Sequence, residues 1–228
     1  MIYYDLHPYV EYPGAWFLGD LMFRGDEVYE LMFCQGEKVE PDSVVLSVLR
    51  PEQCVVPGHE RAIIPRNMAE RNASLYSDVF PLEKGWEQEL VLPVEEEGIS
   101  LDYSHGFGMM PIINKHLAEE LLKLAHDDIQ LFPVKILGHE EEYFIMNVIQ
   151  VAECVDERRS RGILWKPGMA GDPRRYSSLS EIHIDPTRTS GHKLFRLKHW
   201  EMVLICSEEI KDLFDRMEAQ GALFRPVM

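Results

Sequence analysis

The stretch EMVLICSEEIKDLFDRMEAQGALFRPV (201–227) constrains the fold more than any other part of this chain. An apolar run stops at Ser207. Ile210, Leu213, Phe214 and Met217 then recur at helical spacing. Gly221 supplies a stop signal, and ALFRPV (222–227) reads as a closing strand. The chain must therefore combine sheet with helix. The same layout raises a chemical question, because a strand, a serine and a helix also make a hydrolase nucleophile elbow. A GxSxG elbow needs glycine on both sides of the serine to make its strained turn. Here the corresponding neighbours are Ile205 and Glu209. A helix cap explains more: the Ser207 hydroxyl would accept from a free backbone N–H, and Glu208 and Glu209 would complement the positive helix end. That reading predicts a helix over about 208–219 and a cost of about 1 kcal/mol for Ser207→Ala.

A second helix is predicted over 115–126, capped by Asn114, with Ile113, Leu117, Leu121 and Leu124 as its stripe. Strands are expected at 2–6, 15–23, 28–33, 43–50, 87–94, 129–137, 143–156 (one long strand or a bent pair), 180–185, 193–197 and 201–206. Pro133 puts the 129–137 strand at an edge or a bulge. SHGFGMMPIIN (104–114) carries loop signals, and a short helix is expected within 65–80. Residues 157–179 read as one long polar, basic loop. The fold class is α+β. A β-rich region (1–105) precedes an α+β region (106–228) with a mostly antiparallel sheet and at least two helices, and the two regions may share one core.

Charge narrows the function. Asp and Glu number 39 against 23 Lys and Arg, a formal charge of −16 over 228 residues. Residues 1–150 hold 27 acidic and 10 basic side chains, or −17; residues 151–200 hold 6 and 10, or +4; residues 201–228 hold 6 and 3, or −3. Such a protein is repelled by nucleic acid and by anionic membranes and attracts basic partners. Simple solubility is the competing account of the same charge. No signal-peptide pattern or membrane-spanning run of roughly 18 apolar residues stands out, so a cytoplasmic location is expected. Cys34, Cys54, Cys154 and Cys206 form no CxxC motif and are expected as free thiols, mostly buried.

Two acidic triplets, Glu95-Glu96-Glu97 and Glu140-Glu141-Glu142, fall at predicted turns. Either they are solvated turns, or together they form a docking face for a basic partner. His183 and Asp185 form an HxD pair on a predicted strand, where alternate positions share a face and can share a metal. Two ligands are too few, and a satisfied histidine is the plainer account. Arg158, Arg159, Arg161, Arg174 and Arg175, with Trp165 and Tyr176, suggest phosphate or base contacts on the basic loop. Docking of that loop on the chain's own carboxylates is the alternative favoured by the surrounding charge. No phosphate-loop, dinucleotide or zinc signature is present, and no cofactor is expected.

Several segments, in order, carry a resemblance. They are LAEELLKLAHDDIQLFPVKILG, FIMNVIQVAECVDERRS with Asn147 and Asp156, IHIDPTR, and the ending with Phe195, Arg196, Ser207, Gly221 and Phe224. YYDL, PGAWFLGDL and the Phe33–Gly36 turn extend it toward the N-terminus. Over most of its length, and above all over about 113–228, the chain resembles a bacterial immunity-protein family of polymorphic toxin systems. That family is the eleventh of its kind and is typified by a myxobacterial protein. The resemblance implies an antitoxin that neutralises a cognate secreted toxin, delivered by type VI or contact-dependent secretion, through a stoichiometric complex. It implies no catalytic residues. A basic nuclease is one toxin that would suit the acidity. Under the same resemblance Ser207 caps, Gly221 stops a helix, Phe195 and Phe224 pack, and Asn147 needs a buried partner. The alternative function is a hydrolase or metal-dependent enzyme using His183 and Asp185.

Overall fold

A computed structural model describes residues 2–9, 12–18, 22–24, 27–32, 45–48, 55–56, 61–62, 79–80, 91–106, 110–164, 166 and 175–227. The expected helix within 65–80, apart from Val79 and Phe80 in a strand, the Phe33–Gly36 turn, Cys34, Cys54, Trp165 and Arg174 lie outside the described residues. In chain order the strands are β1 (Tyr3–Pro8), β2 (Phe17–Leu18), β3 (Met22–Arg24), β4 (Glu27–Met32), β5 (Val45–Val48), β6 (Val55–Val56), β7 (Arg61–Ala62), β8 (Val79–Phe80), β9 (Val91–Leu92) and β10 (Val94–Glu96). Then come β11 (Tyr103–Gly106), β12 (Met110–Asn114), helix α1 (Lys115–Ala125), β13 (Ile129–Ile136), β14 (Glu142–Val148), β15 (Val151–Ala152), β16 (Arg161–Leu164) and β17 (Tyr176–Ser180). A short 3-10 turn (Pro186–Arg188), β18 (Leu194–Leu197), β19 (Trp200–Ser207), helix α2 (Glu208–Met217) and β20 (Ala222–Val227) complete the chain.

The fold is α+β. A five-stranded sheet has the order β15-β18-β19-β1-β20, and a nine-stranded sheet has the order β11-β12-β14-β13-β9-β3-β4-β5-β8. Most pairings are antiparallel; β15 with β18 and β13 with β9 are parallel. Strands from both sides of residue 105 enter both sheets: β1 pairs with β19 and β20, and β9 pairs with β13.

Side-chain alternation explains how the five-stranded sheet is filled. One face, with Leu6, Leu194, Leu204 and Cys206, packs under the two helices. The helices contribute Leu117, Leu121 and Ala125 from α1 and Ile210, Leu213 and Phe214 from α2. The opposite face, with Tyr3, Phe195, Leu197 and Ile205, meets Ala152, Val155 and Ile184. A third cluster gathers Trp16, Leu92, Val134, Ile136, Tyr143 and Ile145 on the nine-stranded sheet.

Several local expectations change. The 15–23 run is not one strand, because β2 and β3 are separate and join different sheets. SHGFGMMPIIN holds both arms of the antiparallel hairpin β11–β12, although its glycines read as loop. The 143–156 run does bend: β14 stays in the nine-stranded sheet and β15 crosses to the five-stranded one. The 180–185 strand moves earlier in the chain, to β17, and from 181 to 185 only an isolated Val155–Ile184 bridge remains. The basic loop is in part a two-stranded ribbon, β16 with β17. Pro133 sits where β14 is the paired neighbour; β9 reaches β13 only at Lys135 and Ile136. Among the described residues no strand pairs with β13 at Pro133 on that side, which suits a residue without an N–H.

Candidate functional site

Both acidic triplets lie beside one tryptophan, but the first is not the expected turn: Glu95 and Glu96 belong to strand β10, and Glu142 opens β14. Trp16 is buried, and its indole N–H donates to Ser104 Oγ at 2.8 Å. The His139 and Tyr143 rings lie 4.7 and 5.3 Å from it. Glu140, Glu141 and Glu142 occupy the three positions between those two rings. Glu96 of β10 is paired with Phe17, the neighbour of Trp16. The Trp16 backbone N–H donates to the Ile99 carbonyl at 3.2 Å. Glu95 lies in β10 beside Glu96. Glu96, Glu97 and Glu140–Glu142 are all exposed.

Within this face the carboxylates differ in what they touch. Glu142 pairs with Lys115 and raises the ammonium's pKa. Glu141 accepts from the Tyr143 hydroxyl at 3.0 Å, and burial with that bond pushes the phenol above its ordinary range. Glu97 and Glu140 make no ion pair among the described residues and stand free for a partner. The face also carries apolar side chains: Ile99 is 52% exposed and Leu137 54%.

The HxD pair does not converge as a metal site. The Asp185 carboxylate accepts from the Thr187 N–H at 2.9 Å and hydroxyl at 2.7 Å, capping the 3-10 turn. Those bonds hold its pKa below the ordinary carboxylate value. The His183 backbone is tied to Ser160, and its Nδ1 is buried without a partner. Among the described residues no group of three or more His, Cys, Asp and Glu is placed to hold a metal. Burial pushes the Cys154 thiol up to about 11 and raises Cys206 as well, so both stay protonated at neutral pH.

Ser207 is fully buried, so no substrate in solvent meets its hydroxyl. Its backbone takes the N-cap conformation of α2, φ −74° and ψ 163°, but its side chain makes no capping bond and its Oγ has no partner. This corrects the expected cap: the N–H of Glu208 is taken instead by the Ile2 carbonyl at 3.0 Å. Gly221 is corrected too. The helix ends at Met217, with Glu218 in the left-handed conformation as C-cap. Gly221, three residues on, has φ +99°, and a Cβ there would lie 2.0 Å from the Tyr103 carbonyl oxygen. Close approach to β11, not helix termination, explains this glycine.

The remaining pattern residues sit inside the fold. Phe195 is fully buried, edge-on to Tyr3 at 5.7 Å. Phe224 packs edge-on against Phe214 at 5.2 Å. Asn147 is buried and its amide donates to Gln130 Oε1 at 3.4 Å across β13–β14. Asp156 accepts from the Arg158 N–H at 3.0 Å and opens the turn into β16. Arg196 is buried with its guanidinium on two carbonyls, Val148 at 3.3 Å and Glu201 at 2.6 Å. Burial lowers its pKa to about 10, which still leaves it charged at neutral pH.

Sequence reasoning missed Asp128, which reads as a solvated helix end. It is buried, and its carboxylate accepts from His192 Nδ1 at 3.1 Å and from the N–H groups of Lys193 and Leu194 at 2.9 and 3.1 Å. It therefore ties the end of α1 to the start of β18. The basic segment divides in two. Arg175 pairs with Glu201 and Arg161 with Glu181, while Arg158, Arg159 and Lys166 are exposed with no ion pair among the described residues. No described helix is long and apolar enough to cross a membrane. No curated protein matches this chain. Residues 133–228, which include Glu140–Glu142 and every pattern residue from Asn147 to Phe224, match the model of the Immunity protein family (Imm11).

Proposed function

We propose that this chain is an immunity protein that binds a cognate secreted toxin and neutralises it by forming a stoichiometric complex. The observation that carries the reading is the match of residues 133–228 to the Imm11 family. The acidic face around Trp16 is the docking surface. Its support is geometric: two acidic segments, distant in sequence, lie beside one buried aromatic cluster, and Glu97 and Glu140 remain exposed without an ion pair among the described residues. A toxin with a basic substrate cleft, a nuclease among others, fits that face. Acidic side chains would occupy the sites where phosphates bind, and opposite charge would speed the encounter. The same charge keeps the protein itself off nucleic acid and anionic membrane. The encounter takes place in the cytoplasm of the producing cell or its kin, after delivery by a type VI or contact-dependent system.

Association kinetics with the cognate toxin, sought first as the product of the neighbouring gene, test the docking face. The on-rate is expected to fall about ten-fold or more between low and physiological salt. Glu97→Lys with Glu140→Lys is expected to lower it further at low salt. An on-rate indifferent to both salt and charge reversal would remove the acidic face from the account.

A further inference from the structure

The basic ribbon is unlike the rest of the surface. All four residues of β16 are exposed, with Ile163 at 62% and Leu164 at 48%. Around them stand Arg158, Arg159 and Lys166, which are exposed and make no ion pair among the described residues. Elsewhere in 151–200 the described cations are occupied: Arg188 and Lys198 on Glu153, Lys193 on Glu209, Arg175 on Glu201, and Arg196 on backbone carbonyls. Three cations without an ion pair among the described residues thus stand beside one apolar-bearing ribbon, with Asp156 and Glu157 preceding them in the chain.

The chain also carries the complement of that ribbon. The acidic face presents Ile99 and Leu137, exposed by more than half, each within three residues of an acidic segment. The ribbon's described ion pairs go to Glu181 and Glu201, not to Glu95–Glu97 or Glu140–Glu142. The acidic face rests on the Trp16 cluster, whereas Tyr176 and Leu179 of β17 pack with the separate cluster around Phe195. Among the described residues, no ion pair joins the two surfaces, and Glu97, Glu140, Arg158, Arg159 and Lys166 pair with nothing.

We propose that the protein self-associates head to tail, the β16–β17 ribbon of one copy docking on the acidic, apolar-bearing face of another. Ile163 and Leu164 meet Ile99 and Leu137, while Arg158, Arg159 and Lys166 meet the two acidic segments. Two such contacts close a dimer if both form at once, and a series grows if they do not. The net charge of −16 on each copy opposes approach, so the association is weak and depends on concentration. The inference needs no toxin and stands apart from the neutralisation reading. It does predict that a second copy competes for the acidic face.

Sedimentation of the full chain at physiological salt, between roughly 10 µM and 1 mM, tests it. The weight-average mass is expected to rise with concentration. Arg158→Glu with Arg159→Glu is expected to weaken association about ten-fold or more. Ile163→Ser, which changes no charge, is expected to weaken it as well. The decisive variant is Glu97→Lys with Glu140→Lys. It brings the net charge closer to zero, so nonspecific repulsion predicts stronger association, whereas the specific contact predicts about ten-fold weaker. Mixing the two charge-reversed proteins is expected to restore association. Unchanged melting temperatures would show that the variants fold. A monomer at every concentration would overturn the proposal. So would stronger association of the acidic-face variant, or a mixture no better than its parts.

Discussion

The two described helices begin alike and are held differently. Asn114 and Ser207 each end a strand and start a helix, with nearly identical backbones: φ −72°, ψ 164° and φ −74°, ψ 163°. At α1 the side chain does the capping. Asn114 Oδ1 accepts from the Leu117 N–H at 2.9 Å, and its amide donates to Asp102 at 2.6 Å. At α2 the hydroxyl does nothing of the kind, and the helix start relies on the Ile2 carbonyl and on Glu208 and Glu209 in the first turn. The cap conformation thus comes from the turn between strand and helix. The capping bond is a separate matter, decided by where the side chain points.

The constraint at α2 lies at its exit rather than its entry, and the largest expected effect is there. Gly221→Ala would force a methyl against the Tyr103 carbonyl at a residue with φ +99°. It should cost about 3 kcal/mol, the upper part of the range for overpacking. A loss near zero in chemical denaturation would mean that β11 yields easily and that the exit is not the anchor.

Acid probes the same neighbourhood. His105, bonded to the Tyr103 hydroxyl at 3.2 Å, has its pKa lowered from 6.5 to about 3, first by burial and then by the charges of His7 and Arg196. The unfolded chain takes up this proton more readily than the folded one. The contribution is therefore complete above about pH 6.5 and drains away as pH falls toward 3. Urea midpoints should drop through that window, and His105→Gln should flatten the drop. A profile unchanged by the substitution would reassign the acid sensitivity to other groups.

The two caps give the smaller effects, and together they test the comparison itself. Asn114→Ala should cost about 1 kcal/mol, because it leaves the Leu117 N–H without its acceptor. Ser207→Ala should change stability by no more than about 0.5 kcal/mol, since it removes a buried hydroxyl that bonds nothing. Equal losses at the two sites would show that the Ser207 hydroxyl does cap.

Legibility in the sequence followed the physical range of each signal. The helices were legible because Leu117 and Leu121, or Ile210, Leu213 and Phe214, repeat at a period that belongs to one element. Asn114 was legible because its bond reaches only three residues ahead. Asp128 was not, because its three donors lie 64 to 66 residues away and nothing local distinguishes it from a solvated helix end. Gly221 was visible as a glycine, but its reason is a carbonyl at residue 103. The acidic triplets were legible as charge. That both lie beside Trp16 emerges only once β2, β10, β13 and β14 are assembled.

The most direct test of the central claim is co-expression with the protein encoded by the neighbouring gene, scored for growth and for co-purification. Rescue of growth together with a complex of fixed stoichiometry is the predicted result. Growth arrest that persists with this chain abundant and folded, and no complex on purification, would contradict the immunity reading.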